Sequence, residues 1–241
     1  MTEMVFRDDA YARECEARVV DVNERGGIIL QRTNFYATSG GQPGDCGELD
    51  IEGVGTCPIA TTVYDSDKRI VHVAPEGSIL PEPGALVMCR LNWQVRHAHM
   101  RMHTALHLLS AVLSYPVTGG QIGAERGRLD FNIPDGGLDK DNISAELNRL
   151  IEGNHGVTDR WISDEELLAN PNLVKSMNVK PPMGTGKVRL VEIANCDVQP
   201  CGGTHVANTA EIGEVSITKI ENKGGKNRRV RVAFVTDGEK S

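Results

Sequence analysis

The spacing of apolar residues changes once along the chain, near residue 91. Before that point, short segments of alternating apolar and polar residues are separated by turns rich in glycine, proline and aspartate. Alternation with a period of two predicts strands, and several short strands at this spacing are typical of a small β-barrel. The predicted strands cover residues 16–22, 27–32, 59–64, 69–73 and 85–90.

After residue 91, apolar residues recur every three to four positions, which predicts helices. A long helix is expected over 92–114, with Asn92 as its N-cap. A second helix is expected over 142–152, and the capping-box sequence from Ser163 to Glu166 predicts the start of a third, short one.

The end of the chain returns to the strand pattern, over 187–193, 211–221 and 228–235. The fold class is therefore predicted to be α+β. We expect a small N-terminal β-barrel domain over 1–91 and a second domain over 92–241, in which one long helix packs against an antiparallel sheet.

Two pairs of metal-ligating side chains share the same spacing. His103 and His107 lie four residues apart on the long helix, and so one turn apart on the same face. Cys201 and His205 repeat this spacing around two glycines. One thiolate and three imidazoles form a donor set that favours Zn²⁺ over Mg²⁺ or Ca²⁺.

The spacing alone does not select the helical pair, because His99 extends the series by one more turn. His97 and His99 could also lie on a solvated helix surface near Arg96 and Arg101. The residues next to the ligands argue against two known classes of zinc enzyme. A metallopeptidase of the HExxH type needs glutamate at the position of Thr104, and a zinc deaminase needs HxE together with PCxxC.

A glycine-rich run, residues 33–45, contains Ser39, Gly40, Gly41 and Gln42 after two aromatic residues. Adjacent glycines allow a ligand or another polymer to approach the backbone closely, and Gln42 offers both a donor and an acceptor. A barrel loop with a tight turn is the alternative interpretation.

The composition restricts the function classes further. The chain has 241 residues and a net charge of −7, which argues weakly against unspecific binding of nucleic acid. The six cysteines are too sparse for a disulfide scaffold, and the sequence shows neither a signal peptide nor a membrane span. We therefore expect reduced thiols and a cytoplasmic location. Near the C-terminus, however, basic residues cluster around a single Glu221: Lys219, Lys223, Lys226, Arg228, Arg229 and Arg231.

Three segments together resemble the alanyl-tRNA editing family, which comprises freestanding AlaX proteins and the editing domain of alanyl-tRNA synthetase. They are FYATSGGQPGD at residues 35–45, HTALHLL from His103, and CGGTHV from Cys201. They occur in the family's order, and the resemblance covers nearly the whole chain. The glycine-rich run indicates the AlaX-M type, since the related editing domain of threonyl-tRNA synthetase shares only the two ligand pairs.

The resemblance implies a zinc-dependent aminoacyl-tRNA hydrolase that edits in trans. Its substrate would be tRNA(Ala) mischarged with serine, or with glycine. The family's ligands correspond to His103, His107, Cys201 and His205, which leaves His99 outside the set. Zinc could activate water or hold the substrate's amino group, and no general base is identified. The alternatives are a zinc-stabilised RNA-binding module without catalysis and a deacylase for another mischarged tRNA, such as Ser-tRNA(Thr).

The resemblance also suggests where the substrate is bound. Thr104 and Thr204 lie inside the two ligand motifs and are candidates for recognition of the serine hydroxyl. The candidates for tRNA binding are Ser39, Gly40, Gly41, Gln42, Lys226, Arg228 and Arg229, because cationic clusters bind phosphates. The chain is expected to be a monomer or a homodimer.

Overall fold

The computed structural model describes residues 2–134, 137–175 and 186–236. Contacts divide the chain into two compact units, Met1–His97 and Ala98–Ser241. Across the described ranges, the helices are either too short or too polar to cross a lipid bilayer.

Unit 1 is built almost entirely from short strands. Its elements are β1 (Glu3–Met4), α1 (Val5–Asp8), β2 (Glu14–Val22), β3 (Ile28–Leu30), β4 (Arg32–Thr33), β5 (Gly47–Ile51), β6 (Gly55–Ile59), β7 (Thr61–Tyr64), β8 (Ile70–Val73), β9 (Leu86–Leu91) and the first turn of α2 (Trp93–Val112). Seven of the strands form an antiparallel sheet in the order β6-β5-β9-β2-β3-β8-β7, and β1 pairs with β4 in parallel.

The seven-stranded sheet curls into the predicted barrel-like form. Its two edge strands, β6 and β7, follow each other in sequence with only Ala60 between them. The long strand β2 pairs with β9 through its first residues and with β3 through its last. Buried side chains from several of these strands, including Val19, Leu49 and Cys89, fill the interior.

The described residues of unit 2 form two antiparallel sheets and the rest of α2. Its remaining elements are β10 (Val117–Gln121), β11 (Arg126–Asn132), α3 (Lys140–Glu152), β12 (Val157–Ser163), α4 (Asp164–Ala169), β13 (Lys187–Ile193), β14 (Asp197–Pro200), β15 (Val215–Asn222), β16 (Asn227–Phe234) and two 3₁₀ turns at Pro171–Leu173 and Thr209–Ile212. The strand orders are β10-β11-β16-β15 and β12-β13-β14.

The long helix α2 confirms the prediction of one long helix against an antiparallel sheet. Asn92 caps it, since its side-chain oxygen accepts a hydrogen bond from the Val95 amide at 3.3 Å. In unit 2 the helix packs on β11, where a Cβ added to Gly127 would come within 2.9 Å of the Met102 side chain. Glycine at this position therefore allows the helix and the strand to approach closely.

Two expectations about single elements have different outcomes. The capping box at Ser163 is present and starts α4, as predicted. The strand predicted over 211–221 is wrong at its start, because residues 209–212 form a 3₁₀ turn and β15 begins at Val215. Asn208 caps that turn through a capping box with Glu211, a local hydrogen-bonding pattern that competes with extension of the strand.

Candidate metal centre

The two histidines of the HTALH motif lie on the buried part of α2. His103 and His107 are one turn apart, and their ring centroids are separated by 5.1 Å. Both side chains are buried. His99 is also buried, which rules out the solvated surface considered for it, and Arg96 is buried as well.

The CGGTH motif begins where β14 ends. The Cys201 amide donates to the Arg189 carbonyl at 3.0 Å, so that Cys201 continues the pairing of β14 with β13. The buried Arg189 guanidinium then holds the following loop, with its Nη1 donating to the carbonyls of Gly203 at 2.9 Å and Cys201 at 3.2 Å. These bonds fix the backbone that presents Cys201 and His205.

The fold brings the two motifs together into one cluster. One donor atom from each of His103, His107, Cys201 and His205 lies within 4.8 Å of the others. The Cys201 sulfur is 3.4 Å from His103 Nε2 and 3.3 Å from His205 Nε2. Tetrahedral zinc with sulfur and nitrogen ligands would require separations of about 3.5 Å between these atoms. The donor set and its spacing therefore fit zinc.

The cluster changes the protonation of its own members. Burial would raise the pKa of the Cys201 thiol, but the charge and hydrogen bond of His103 and the other imidazoles around the sulfur outweigh burial, and the pKa falls well below its usual range. Burial and the charge of His103 lower the pKa of His205 well below its usual value. A thiolate and a neutral imidazole are the forms that bind metal.

His107 has an acidic partner behind it. Its Nδ1 lies 3.4 Å from Oδ2 of Asp197, a buried residue on β14. Burial disfavours the charged imidazole, but the nearby Asp197 carboxylate and Cys201 sulfur outweigh it and raise the pKa of His107 to about 9, so metal binding at this ligand would release its proton. Asp197 also pairs with Lys175 and accepts a hydrogen bond from Gln199 Nε2 at 2.6 Å. The carboxylate is thus fixed where it can orient a metal-binding imidazole.

Asp197 was missed at the level of sequence, although a signal for it exists. Residues 197, 199 and 201 alternate along a strand, so their side chains share one face. A carboxylate four residues before a cysteine ligand would have stood out if the segment before Cys201 had been recognised as a strand.

Replacement of Asp197 with asparagine should weaken metal binding. We expect the affinity for zinc to fall by about 10- to 100-fold, because His107 loses the anionic partner that orients it. Competition with a chromophoric chelator measures this directly. Glu192→Gln is the matched control, since Glu192 lies on the adjacent strand and its side chain points to the opposite face. Equal affinities for the two variants would contradict the assigned role.

Thr104 and Thr204 are both buried. The Thr104 hydroxyl contacts the Met100 carbonyl at 2.9 Å and His205 Nδ1 at 3.1 Å, and it accepts from the Val206 amide at 3.3 Å. A hydroxyl that donates to the carbonyl can accept from Nδ1–H, and this leaves Nε2 of His205 free to face Cys201. Thr104 is thus placed to set the tautomer of one predicted ligand.

The glycine-rich run lies in unit 1. Ser39 and Gln42 close a two-residue turn through a pair of backbone hydrogen bonds, with Gly40 and Gly41 exposed at positive φ at its tip. Gln42 itself is buried. The end of the run is anchored by Asp45, which accepts hydrogen bonds from the buried Arg96.

The basic residues near the C-terminus form a hairpin from β15 and β16. Arg229 binds Asp130 on β11 through two hydrogen bonds of 2.8 and 2.9 Å, and Arg231 binds Glu221 at 2.6 Å. Lys226 is exposed at the turn, and Arg228 Nη1 donates to Asn222 at 3.0 Å. Side chains alternate between the two faces of a strand, and the pairing register places Arg126 and Arg128 of β11 on the same outward face as Arg229 and Arg231.

Comparison with known proteins agrees with this arrangement of motifs. Residues 188–231 match the threonyl and alanyl tRNA synthetase second additional domain, and residues 7–95 match the class II (A) tRNA synthetases. An alanyl-tRNA editing protein AlaX-M from Methanosarcina acetivorans is 35% identical, over 95% of this chain and 98% of that protein. The chain belongs to the alanyl-tRNA editing protein family.

Other relatives include a protein of similar length and a much longer tRNA ligase. An AlaX-M protein from Saccharolobus solfataricus is 34% identical, over 95% of this chain and 98% of its own length. An alanine--tRNA ligase from Thermococcus kodakarensis is 32% identical over 91% of this chain, which corresponds to only 24% of the ligase. Members of the alanyl-tRNA editing family thus match this chain along nearly all of its length.

Proposed function

We propose that this protein is a zinc-dependent deacylase that removes serine from mischarged tRNA(Ala). The observation that carries the proposal is the buried cluster of one cysteine and three histidines, in a chain that belongs to the alanyl-tRNA editing family. The reaction consumes water and splits an ester into a free amino acid and tRNA. Glycine is the second candidate amino acid, and the cytoplasm is the expected location.

His103, His107, Cys201 and His205 would hold the ion. When bound, zinc would supply a Lewis acid that polarises the ester carbonyl and acidifies water. The chain's own residues prepare this site. Asp197 orients His107, Thr104 orients His205, and Arg189 fixes the loop between Cys201 and His205.

Selectivity for serine over alanine needs a group that recognises one hydroxyl. A site that hydrogen-bonds the serine hydroxyl leaves its own polar group unpaired when alanine enters, a penalty that can reach about 10⁴-fold. The ligand motifs contain two buried candidates, Thr104 and Thr204. The Thr104 hydroxyl already bonds to the Met100 carbonyl and His205 Nδ1, so Thr104 would act by holding His205, and Thr204 is the candidate for direct contact with the serine hydroxyl. The correctly charged tRNA would then be spared.

The experiment compares four substrates with the purified, zinc-loaded protein: Ser-tRNA(Ala), Gly-tRNA(Ala), Ala-tRNA(Ala) and Ser-tRNA(Thr). We expect rapid loss of serine from tRNA(Ala) and slow or no loss of alanine. Equal rates with serine and alanine would refute the proposal. Preference for Ser-tRNA(Thr) would support the alternative deacylase, and tRNA binding without hydrolysis would support the noncatalytic module.

We further propose that the hairpin of β15 and β16 contacts the tRNA backbone. Lys226 and Arg228 lie near its turn and would make this contact. A small cationic surface on a chain of net charge −7 would bind a specific RNA while limiting unspecific binding. Ser39, Gly40 and Gly41, exposed in their turn, remain candidate contacts, and Gln42 would support that turn from its buried position.

Reversal of charge at the hairpin should reduce the salt dependence of tRNA binding. With Lys226→Glu and Arg228→Glu, every phosphate that the protein no longer neutralises lowers the slope of log K against log salt by about 0.7 to 0.9. Arg229 is left unchanged because it pairs with Asp130. Arg25→Glu with Lys68→Glu, two exposed residues of unit 1, makes the same change in charge. Identical slopes for both double variants would refute the assignment.

A further inference from the structure

An exposed tryptophan lies on the same sheet face as the cysteine of the candidate metal centre. Trp161 on β12 is directly opposite Arg189 on β13. Arg189 is in turn opposite Cys201, whose amide bonds to the Arg189 carbonyl at 3.0 Å. Directly opposed residues of antiparallel strands project to the same face. Trp161, Arg189 and Cys201 thus form one row across the three strands.

Helix α2 covers only part of this face. It lies over β14, where Ser110 Oγ accepts a hydrogen bond from Gln199 Nε2 at 3.1 Å and His107 approaches Asp197. At the other end of the row, Trp161 is 44% exposed. Two strand spacings separate it from Cys201, a distance of about 10 Å between backbones. The Trp161 ring, at the end of the row away from α2, is therefore accessible to solvent.

The surface between Trp161 and Cys201 is already fixed. Arg189, only 8% exposed, donates to Asp159 Oδ1 at 3.0 Å as well as to the loop carbonyls. Asp159 lies two residues before Trp161, and so on the same face. The ion pair joins β12 to the loop of the metal centre and keeps the row in register. Ligand binding here would need little rearrangement.

The chemistry of the proposed substrate provides an occupant for this surface. In an aminoacyl-tRNA the ester is attached to the ribose of the terminal adenosine, so the adenine base lies one sugar away from the reacting carbonyl. An exposed aromatic ring offers a stacking surface for a base, and such stacking depends little on sequence. We propose that Trp161 stacks on the terminal adenine when the ester lies at the metal centre.

This inference rests on the proposed function, because it takes the nucleotide to be the one that carries the ester. Charge also favours it over an apolar partner. Asp159 and Arg160 directly precede Trp161 in the sequence, and both are charged and exposed. The core of a protein–protein interface is depleted of charged residues, whereas two of them lie next to this tryptophan.

Fluorescence tests base stacking without any reaction. The chain has two tryptophans, so Trp93→Phe leaves Trp161 as the sole tryptophan reporter. The probes are the deacylated trinucleotide CCA and the same oligonucleotide with an abasic terminal residue. We expect saturable quenching with CCA, and at least about tenfold weaker binding of the abasic probe. Equal responses to the two probes would overturn the inference.

Kinetics with the otherwise unchanged protein give a second test. Trp161→Ala should raise the KM for Ser-tRNA(Ala) about tenfold with little change in kcat, and Trp161→Phe should restore most of the loss. Leu168→Ala, which removes an exposed apolar side chain on α4, is the control and should leave KM unchanged. A KM unaltered by Trp161→Ala in an active enzyme would overturn this inference alone, whereas a wild-type protein without deacylation would refute the proposed function.

Discussion

Replacement of Cys201 with serine is expected to lower the rate of Ser-tRNA(Ala) hydrolysis by more than about 100-fold and to remove most of the bound zinc. Loss of a residue that only supports a ligand already costs about 10- to 100-fold in affinity, so loss of the ligand should cost more. Cys201 is the sole sulfur donor in the cluster, and the imidazoles around it lower the pKa of its thiol well below the usual range, which favours the metal-binding thiolate. Measurement of zinc content and of single-turnover deacylation on the same preparation checks both effects.

The control is Cys46→Ser. Cys46 is a half-buried free thiol in unit 1, and burial raises its pKa, so it lacks the thiolate character of Cys201. It should keep its zinc and its activity. Full activity of the Cys201 variant would contradict the metal-dependent mechanism.

Folding of the Cys201 variant separates two roles of the metal. A structural zinc site contributes directly to folding, so its loss would unfold unit 2. A catalytic site would leave a folded, inactive protein. Circular dichroism of the variant, and of the wild-type protein after chelation, distinguishes the deacylase from the noncatalytic module.

The four metal ligands could be predicted because each pair of ligands is close together in the sequence. His103 with His107, and Cys201 with His205, are separated by four residues, so spacing alone pairs them. It could not choose between His99 and His107 as the partner of His103. Only packing of α2 on the strand before Cys201 brings His107 against Asp197.

The residues that support the cluster could not be predicted in this way. Arg189, Asp159 and Trp161 become neighbours of the metal centre through the register of β12 with β13. Register is set by tertiary packing and by segments far apart in sequence, which no local pattern encodes. From the sequence, Trp161 is one tryptophan between charged residues, and nothing in that pattern predicts a stacking site for a nucleobase.

The same limit explains the strands that were missed in the barrel. The short strand β5 starts at Gly47 and carries two acidic residues, features that weaken the strand pattern. Its Leu49 and Ile51 nevertheless alternate into the core, and pairing with both β6 and β9 stabilises it. The barrel was still predictable, since the neighbouring strands kept a clear alternation.

The buried Arg96 leads to the prediction with the largest effect on stability. Arg96→Met should lower the free energy of unfolding by about 3 to 5 kcal/mol, because it leaves a buried carboxylate without its partner. Both Arg96 and Asp45 are almost fully buried, and the guanidinium also donates to the carbonyls of Asn34 at 2.6 Å and Ala10 at 3.0 Å. At the level of sequence, Arg96 was considered only as a neighbour of a possible solvated surface at His97 and His99.

Urea titration of three variants checks the magnitude and its cause. Arg90→Met breaks an exposed pair with Glu14 and should cost less than about 1 kcal/mol. In the double variant Asp45→Asn with Arg96→Met, no buried charge remains, so the loss should be smaller than that of Arg96→Met alone. Asp45 accepts a hydrogen bond from the Tyr36 amide at 2.5 Å, and the side-chain oxygen of asparagine can still accept it. If the double variant is less stable than Arg96→Met alone, compensation of the Asp45 charge is not the main role of Arg96. The hydrogen bonds of Arg96 to the backbone would then hold the end of the glycine-rich run in place.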